Sequence, residues 1–240
     1  MSETEWRIER EGSVGSTNDL LVARARAGES EGLVIVADFQ EAGRGRRDRS
    51  WVAPRGSALL MSVLLRPGGG PDQYPWALVA LALSARSALE PWGRVDLKWP
   101  NDLLIEDKKL GGLLAQVVSE RVVVGLGLNL DAPGEGLVEA TSVAGAWGVR
   151  LGRDEVLERV LAELTPRAER LQTAEGRAQL REEYRNALAT LGRRVRGYLE
   201  TDVISGVARD VDEGGRLVVV GDATWTLLAA DVVHLRGDVE

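Results

Sequence analysis

The chain has 240 residues, 44% of them hydrophobic and 28% charged, a globular composition with room for one ordinary domain and a small second one. A formal charge of −7 restricts nucleic-acid binding to a local basic patch, the absence of cysteine excludes disulfides and thiol catalysis, and a single histidine, His234, excludes a histidine metal cluster. No run approaches the roughly 18 apolar residues of a membrane span and the N-terminus lacks a signal pattern, so the expectation is a soluble, cytoplasmic protein with no membrane partner.

In chain order, residues 16–28 (STNDLLVARARAG) read as a helix capped by Ser16 or Thr17 and stopped by Gly28. Residues 33–39 (LVIVADF) read as a short strand. The loop QEAGRGRRDRSW follows, with four arginines and two glycines within residues 43–49. Residues 58–65 (ALLMSVLL) are a second strand, closed by the turn-rich RPGGGP, and residues 75–93 a mostly buried helix. Residues 95–118 read as strand, Pro-Asn turn, strand, charged hairpin at EDKK, and strand. Residues 121–130 form a strand whose alternate positions are Gly125, Gly127 and Asn129. Residues 141–191 are helical in pattern, with a break near 173–176. The last 50 or so residues alternate like short antiparallel strands with tight glycine turns, as in a small β-barrel. The expected class is α+β: a mixed sheet packed with helices over residues 1–190, then a β-barrel domain over residues 191–240.

The arginine loop stands out in an acidic chain. Gly43 and Gly45 allow close backbone approach, successive N–H groups can cradle an anion, and guanidinium forks match phosphate and carboxylate oxygens. Wrapping an anionic small molecule is one reading; a solvated turn and a nucleic-acid patch are the others. In KWPNDLL, Pro100 makes a stiff corner that sets Asn101 and Asp102 at a strand end. There Asp102 can help hold Mg²⁺ and Lys98 can reach a phosphate; an ordinary hairpin corner is the alternative. In KKLGGLL, Lys109 stands next to a Gly-Gly pair that lets a ligand pack on bare backbone, or it is a surface lysine beside a bulge. The glycines of GLGLNL leave space for a flat ring while Asn129 reads polar edges; close sheet packing is equally compatible. Ser16, Thr17 and Asn18 cap a helix by default. Combined, these stretches describe one site for a ligand with a small polar head, an apolar tail and an anionic end.

QEAGRGRRDRSW, LKWPNDLLIEDKKLGGLL and GLGLNL, with STN upstream and a closing β-tail, resemble the biotin protein ligases in order and approximate spacing, over residues 14–236. The resemblance implies a catalytic domain of the class II synthetase/lipoate ligase-like kind, binding biotin and ATP, and a C-terminal barrel. It implies that biotin is activated by ATP and Mg²⁺ to biotinyl-5′-adenylate with release of pyrophosphate, then transferred to a lysine of the biotin carboxyl carrier protein domain of a biotin-dependent carboxylase. By the same similarity Ser16, Thr17, Asn18, Gln40, Gly112 and Gly125 surround biotin. Gly43, Arg44, Gly45 and Arg46 fold over the ligand, and Lys109 and Arg44 are catalytic. Arg46, Arg49, Trp51, Lys98, Asn101, Asn129 and Arg236 serve the nucleotide, and Asp102 the metal.

Two departures bear on this. Asp48 stands where the family loop has glycine, an added negative charge among the arginines. Fifteen residues precede Ser16, too few for a helix-turn-helix domain, so DNA binding is not expected. Because loop residues contribute to self-association in some members, a homodimer stays open. A lipoate- or octanoate-type acyltransferase is the nearest alternative.

Overall fold

A computed structural model describes residues 5–47, 49–133, 139–199, 202–228 and 231–235. Strands β1 (Arg7–Glu11), β2 (Leu33–Ala37), β3 (Ala58–Leu65), β4 (Asp96–Lys98), β5 (Asp102–Ile105), β6 (Lys108–Val118) and β7 (Arg121–Asn129) form one sheet in the order β1-β2-β3-β7-β6-β5-β4. β1 runs parallel to β2 and the other pairs are antiparallel, so the sheet is mixed as expected. β2 and β3 are buried along their whole length, which is why both read as unbroken apolar runs. β1, RIERE, escaped the sequence reading because its charged side chains suit an exposed sheet edge.

One face of the sheet carries α2 (Pro75–Leu89), α4 (Arg153–Arg170) and α5 (Ala174–Ala187) over a core that includes Trp76, Leu83, Leu97, Leu157 and Tyr184. The other face carries α1 (Thr17–Arg26), and only at one end. There Leu21, Val22 and Ala25 pack on Ile35, Leu64 and Val123, and burying Leu21 alone contributes about 1.5–3 kcal/mol. Beyond α1, Trp51 and Ala53 of the segment before β3 pack on Ala58 and Leu60 of the same face. The helical stretch contains a third helix, α3 (Val143–Trp147), which ends at Gly148 with a left-handed φ of 70°. The expected break falls between α4 and α5, where Thr173 Oγ1 accepts the Gly176 N–H at 3.0 Å.

The tail corrects the barrel expectation. β8 (Arg194–Tyr198), β9 (Val203–Val211), β10 (Leu217–Val220), β11 (Thr224–Leu227) and β12 (Asp231–His234) form a five-stranded antiparallel sheet in the order β11-β10-β9-β8-β12, open between its two edges. Its apolar face does not need to close on itself. Val195, Ile204, Ala208, Leu217 and Val219 belong to the same core as Trp76 and Trp99 of the larger unit. The Trp76 and Trp99 indole N–H groups donate to the carbonyls of Glu213 at 2.8 Å and Gly215 at 3.2 Å, in the turn between β9 and β10.

Candidate active site

Residues directly opposite one another in an antiparallel ladder share a face. The register therefore sets Ser62, Gly125 and Leu114 in one row, and Leu60, Gly127, Gly112 and Asp102 in the next, on the face that carries α1. A register shift leaves Leu110 as an extra residue in β6, which turns Lys109 onto the face of Gly112. A Cβ on Gly112 would lie 3.3 Å from Lys109 Nζ and 3.5 Å from Asp102 Oδ1. On Gly125 it would fall 2.2 Å from Asn18 Oδ1, and on Gly127 2.4 Å from the Trp51 ring. The glycines thus admit side chains from other elements, and the flat ring over the glycine strand is the protein's own Trp51. Above these rows lies a cavity of about 390 Å³, the size of a small-molecule site.

One end of the cavity is neutral. Ser16 Oγ accepts the Asp19 N–H at 3.4 Å and caps α1, which places Thr17 and Asn18 in its first turn, 3% and 4% exposed. Ser62 Oγ lies 2.8 Å from Thr17 Oγ1 and 2.6 Å from Asn18 Oδ1. Asn18 Nδ2 donates to the Leu114 carbonyl at 3.0 Å and to Gln116 Oε1 at 3.2 Å. Gln40 Oε1 accepts the Thr17 N–H at 2.8 Å and lies 3.0 Å from Thr17 Oγ1.

The other end is charged. The arginine loop is a hairpin in which Arg44 bridges Ser50 and the Trp51 N–H donates to Gly43 O at 2.9 Å. Arg47, at φ 53°, supplies the left-handed turn. Gly43 is needed because a Cβ there would meet the Trp51 carbonyl at 2.4 Å. Arg44 pairs with Asp19 of α1 at 3.1 Å, Arg46 donates to Asn101 Oδ1 at 3.4 Å and Arg47 to the Tyr198 carbonyl of β8 at 3.2 Å. The loop therefore ties α1, the β4–β5 corner and the tail sheet together. Lys109 Nζ sits 2.7 Å from Asp102 Oδ1. Two buried atoms of cavity residues, Trp51 Nε1 and Asn129 Oδ1, have no protein partner, while Asn129 Nδ2 donates to Thr141 O at 3.0 Å. An unmet buried N–H or C=O costs about 1–3 kcal/mol, so a ligand that meets either recovers that energy.

The corner beside it is held from behind. The Trp99–Pro100 peptide is cis. Asn101 Nδ2 donates to Leu113 O at 2.8 Å and Asn101 O accepts the Leu113 N–H at 2.9 Å. The Trp99 N–H donates to Thr190 Oγ1 at 3.0 Å, and His234 Nε2 lies 3.1 Å from the same oxygen. Arg193 Nη1 is 3.2 Å from His234 Nδ1; a guanidinium only donates, so Nδ1 accepts and Nε2 carries the proton. Burial, then the nearby Lys98 and Arg193 charges, push the imidazole down to about 4 against the opposing pull of Asp107.

Every described residue that the sequence analysis assigned to the ligand, nucleotide or metal borders this cavity except Gly43, which borders an adjoining hollow of about 540 Å³. Asp48 and Arg236 lie outside the described residues. Among the described residues no three His, Cys, Asp or Glu side chains group as a metal cage, and Asp102 is the one carboxylate lining the cavity. Sequence reasoning missed Ser62, whose signal was a lone polar residue in the apolar run ALLMSVLL. It also missed Gln116 and Thr190, which carried no signal.

Residues 13–131 match the Biotin/lipoate A/B protein ligase family and residues 190–235 the Biotin protein ligase C terminal domain. The Biotin--[acetyl-CoA-carboxylase] ligase of Mycobacterium tuberculosis is 39% identical over 96% of this chain and 90% of its own length. That of Paracoccus denitrificans is 32% identical over 85% of this chain and 90% of its own. The structure of the biotin protein ligase from Aquifex aeolicus in complex with biotin and ATP superposes with a TM-score of 0.83 at 26% identity, covering 95% of this chain and 99% of that one.

Proposed function

The chain belongs to the biotin protein ligases, and from that premise we propose that it activates biotin with ATP and transfers it to a lysine of a biotin carboxyl carrier protein. In the first step the biotin carboxylate attacks the α-phosphorus of ATP, giving biotinyl-5′-adenylate and pyrophosphate. In the second the carrier lysine amine attacks the acyl carbon and AMP leaves. The observation that carries the reading is that a single cavity joins a neutral hydrogen-bonding end on α1 to an end made of Lys98, Lys109 and the arginine loop.

In this reading Ser16, Thr17, Asn18 and Gln40 hold the ureido head, with Gly112 and Gly125 beneath the ligand. Lys109 and Arg44 are the catalytic pair. Both reactants of the first step are anions, so cations and backbone N–H groups already in place lower its barrier. Lys109, now paired with Asp102, exchanges that partner for the carboxylate and α-phosphate oxygens. Arg46, Arg49, Lys98 and Asn101 serve the phosphates, while Trp51 and Asn129 offer an unmet N–H and C=O to the nucleotide; Arg236 is assigned to it by similarity. Gly43 and Gly45 let the arginine loop close over the adenylate and exclude water. One carboxylate plus substrate phosphates is a common Mg²⁺ setting, so Asp102 is the residue that would hold the ion, whose charge would offset that of the phosphates.

The same reading assigns residues 1–190 to catalysis and 191–240 to a C-terminal domain. It gives the enzyme a cytoplasmic place, consistent with the absence, among described residues, of any helix long and apolar enough to cross a membrane. A charge of −7 argues against a DNA target, and a homodimer is a proposal that sedimentation decides. Lipoate or octanoate transfer is disfavoured by the neutral end, because neither acyl tail carries an N–H or C=O for Thr17, Asn18 and Gln40. Incubation with labelled biotin, ATP, Mg²⁺ and a carrier domain should label one lysine; labelling from lipoate and none from biotin would overturn the proposal.

A further inference from the structure

We infer that Ser62, which does not itself border the cavity, is a positioning residue that makes the neutral end selective for a ligand head bearing N–H donors. The inference rests on reading that end as the site of the biotin head. Ser62 is fully buried in the centre of β3, at 0% exposure, and reaches Thr17 and Asn18 from behind. The direction of each hydrogen bond follows from what each partner can do. The Leu114 carbonyl only accepts, so the Asn18 group 3.0 Å from it is Nδ2, and the group facing Ser62 is Oδ1. Oδ1 only accepts, so Ser62 spends its single proton on Asn18 and presents lone pairs to Thr17.

Thr17 has one hydroxyl proton and two oxygen neighbours, Ser62 Oγ at 2.8 Å and Gln40 Oε1 at 3.0 Å. Gln40 cannot help, because the Thr17 backbone N–H at 2.8 Å holds its oxygen on that side. Three oxygen–oxygen contacts therefore share two protons. The cluster is one donor short, and the shorter contact to Ser62 draws the Thr17 proton inward. What the cavity meets at Thr17 is then an acceptor. A cyclic urea supplies N–H groups there, whereas a ring oxygen in their place would set lone pair against lone pair. Alanine at position 62 loosens the constraint: the Thr17 hydroxyl loses its nearer oxygen neighbour and keeps only the 3.0 Å contact to Gln40 Oε1, from which it can turn to donate to a ligand oxygen, and Asn18 Oδ1 loses its proton source.

The test compares dissociation constants for biotin and for the two cyclic carbamate analogues in which one ureido N–H is replaced by oxygen. The wild-type protein should prefer biotin to at least one analogue by about tenfold or more. Ser62→Ala should weaken biotin by about tenfold, flatten that preference, and leave the KM for ATP unchanged. Ser62→Cys, which keeps the shape but offers a weak donor, should fall between and replaces alanine if the latter does not fold. In a Thr17→Val background the Ser62 substitution should no longer move the preference. A preference retained in both Ser62 variants, or an equal loss for all three ligands, overturns the inference alone. A wild type without preference, whose biotin affinity also survives Thr17→Val, overturns the placement of the head and the inference with it.

Discussion

The two ends of the cavity solve binding in opposite ways. At the α1 end Thr17, Asn18 and Ser62 are uncharged, at most 4% exposed, and tied to one another or to backbone at 2.6 to 3.0 Å. At the other end the contacts are ion pairs: Lys109 with Asp102, at side-chain exposures of 40% and 22%, and Arg44 of the loop reaching back to Asp19 of α1, at 58% and 41%. Breaking a buried hydrogen bond costs about 1–3 kcal/mol, while an exposed ion pair is worth about 0–1 kcal/mol. The first end is built to stay as it is when the ligand arrives. The second stores its cations beside the protein's own carboxylates, from which phosphate oxygens displace them at little cost.

The sharpest break of that contrast is Lys109→Ala, expected to slow adenylate formation about a hundredfold to a thousandfold, measured as pyrophosphate release, with biotin-free stability nearly unchanged. Next come two glycines one row apart. Gly125→Ala drives a Cβ into Asn18 and should cut biotin affinity, whereas Gly127→Ala drives one into Trp51 and should raise the KM for ATP; overpacking of this kind costs about 1–3 kcal/mol. If both variants impaired both substrates equally, the two ends would not be separate. A pH experiment probes the charged end from behind. His234 is held near 4 in the folded chain against 6.5 in the unfolded one, so unfolding takes up a proton in that window. The stability it contributes is complete above pH 6.5 and is lost as pH falls toward 4, at about 1.4 kcal/mol per pH unit. Urea midpoints should show a loss of about 1 kcal/mol between pH 6.5 and 5, less than the full linkage value because His234 is only half-buried and solvent screens it, and His234→Asn should remove that loss. The smallest stability effect is expected for Arg44→Ala, below about 1 kcal/mol. Its signature is instead a larger share of adenylate hydrolysed before transfer, seen as AMP formed in excess of biotinylated carrier.

Much of this was legible before the fold. Ser16 as a cap, the strand at residues 58–65, the Pro100 corner and the glycine strand all announce themselves within a few neighbouring residues, because capping, turn and strand preferences act over that range. The charged edge strand β1 did not, since an exposed edge needs no apolar pattern. Ser62 looked like an interruption of a strand, and its purpose lies 44 and 45 residues away in Asn18 and Thr17.

Residue chemistry and local preference thus settle which elements form and which side chains can meet an anion or a polar ring. Three matters waited for the folded chain: the turning of Lys109 toward Asp102, the support of Trp99 by Thr190 from 91 residues away, and the open form of the tail sheet. Register, face and closure depend on which apolar surface covers which, and that is summed over the whole core. The tail sheet stays open because the larger unit already covers its apolar face, a fact no stretch of the tail contains.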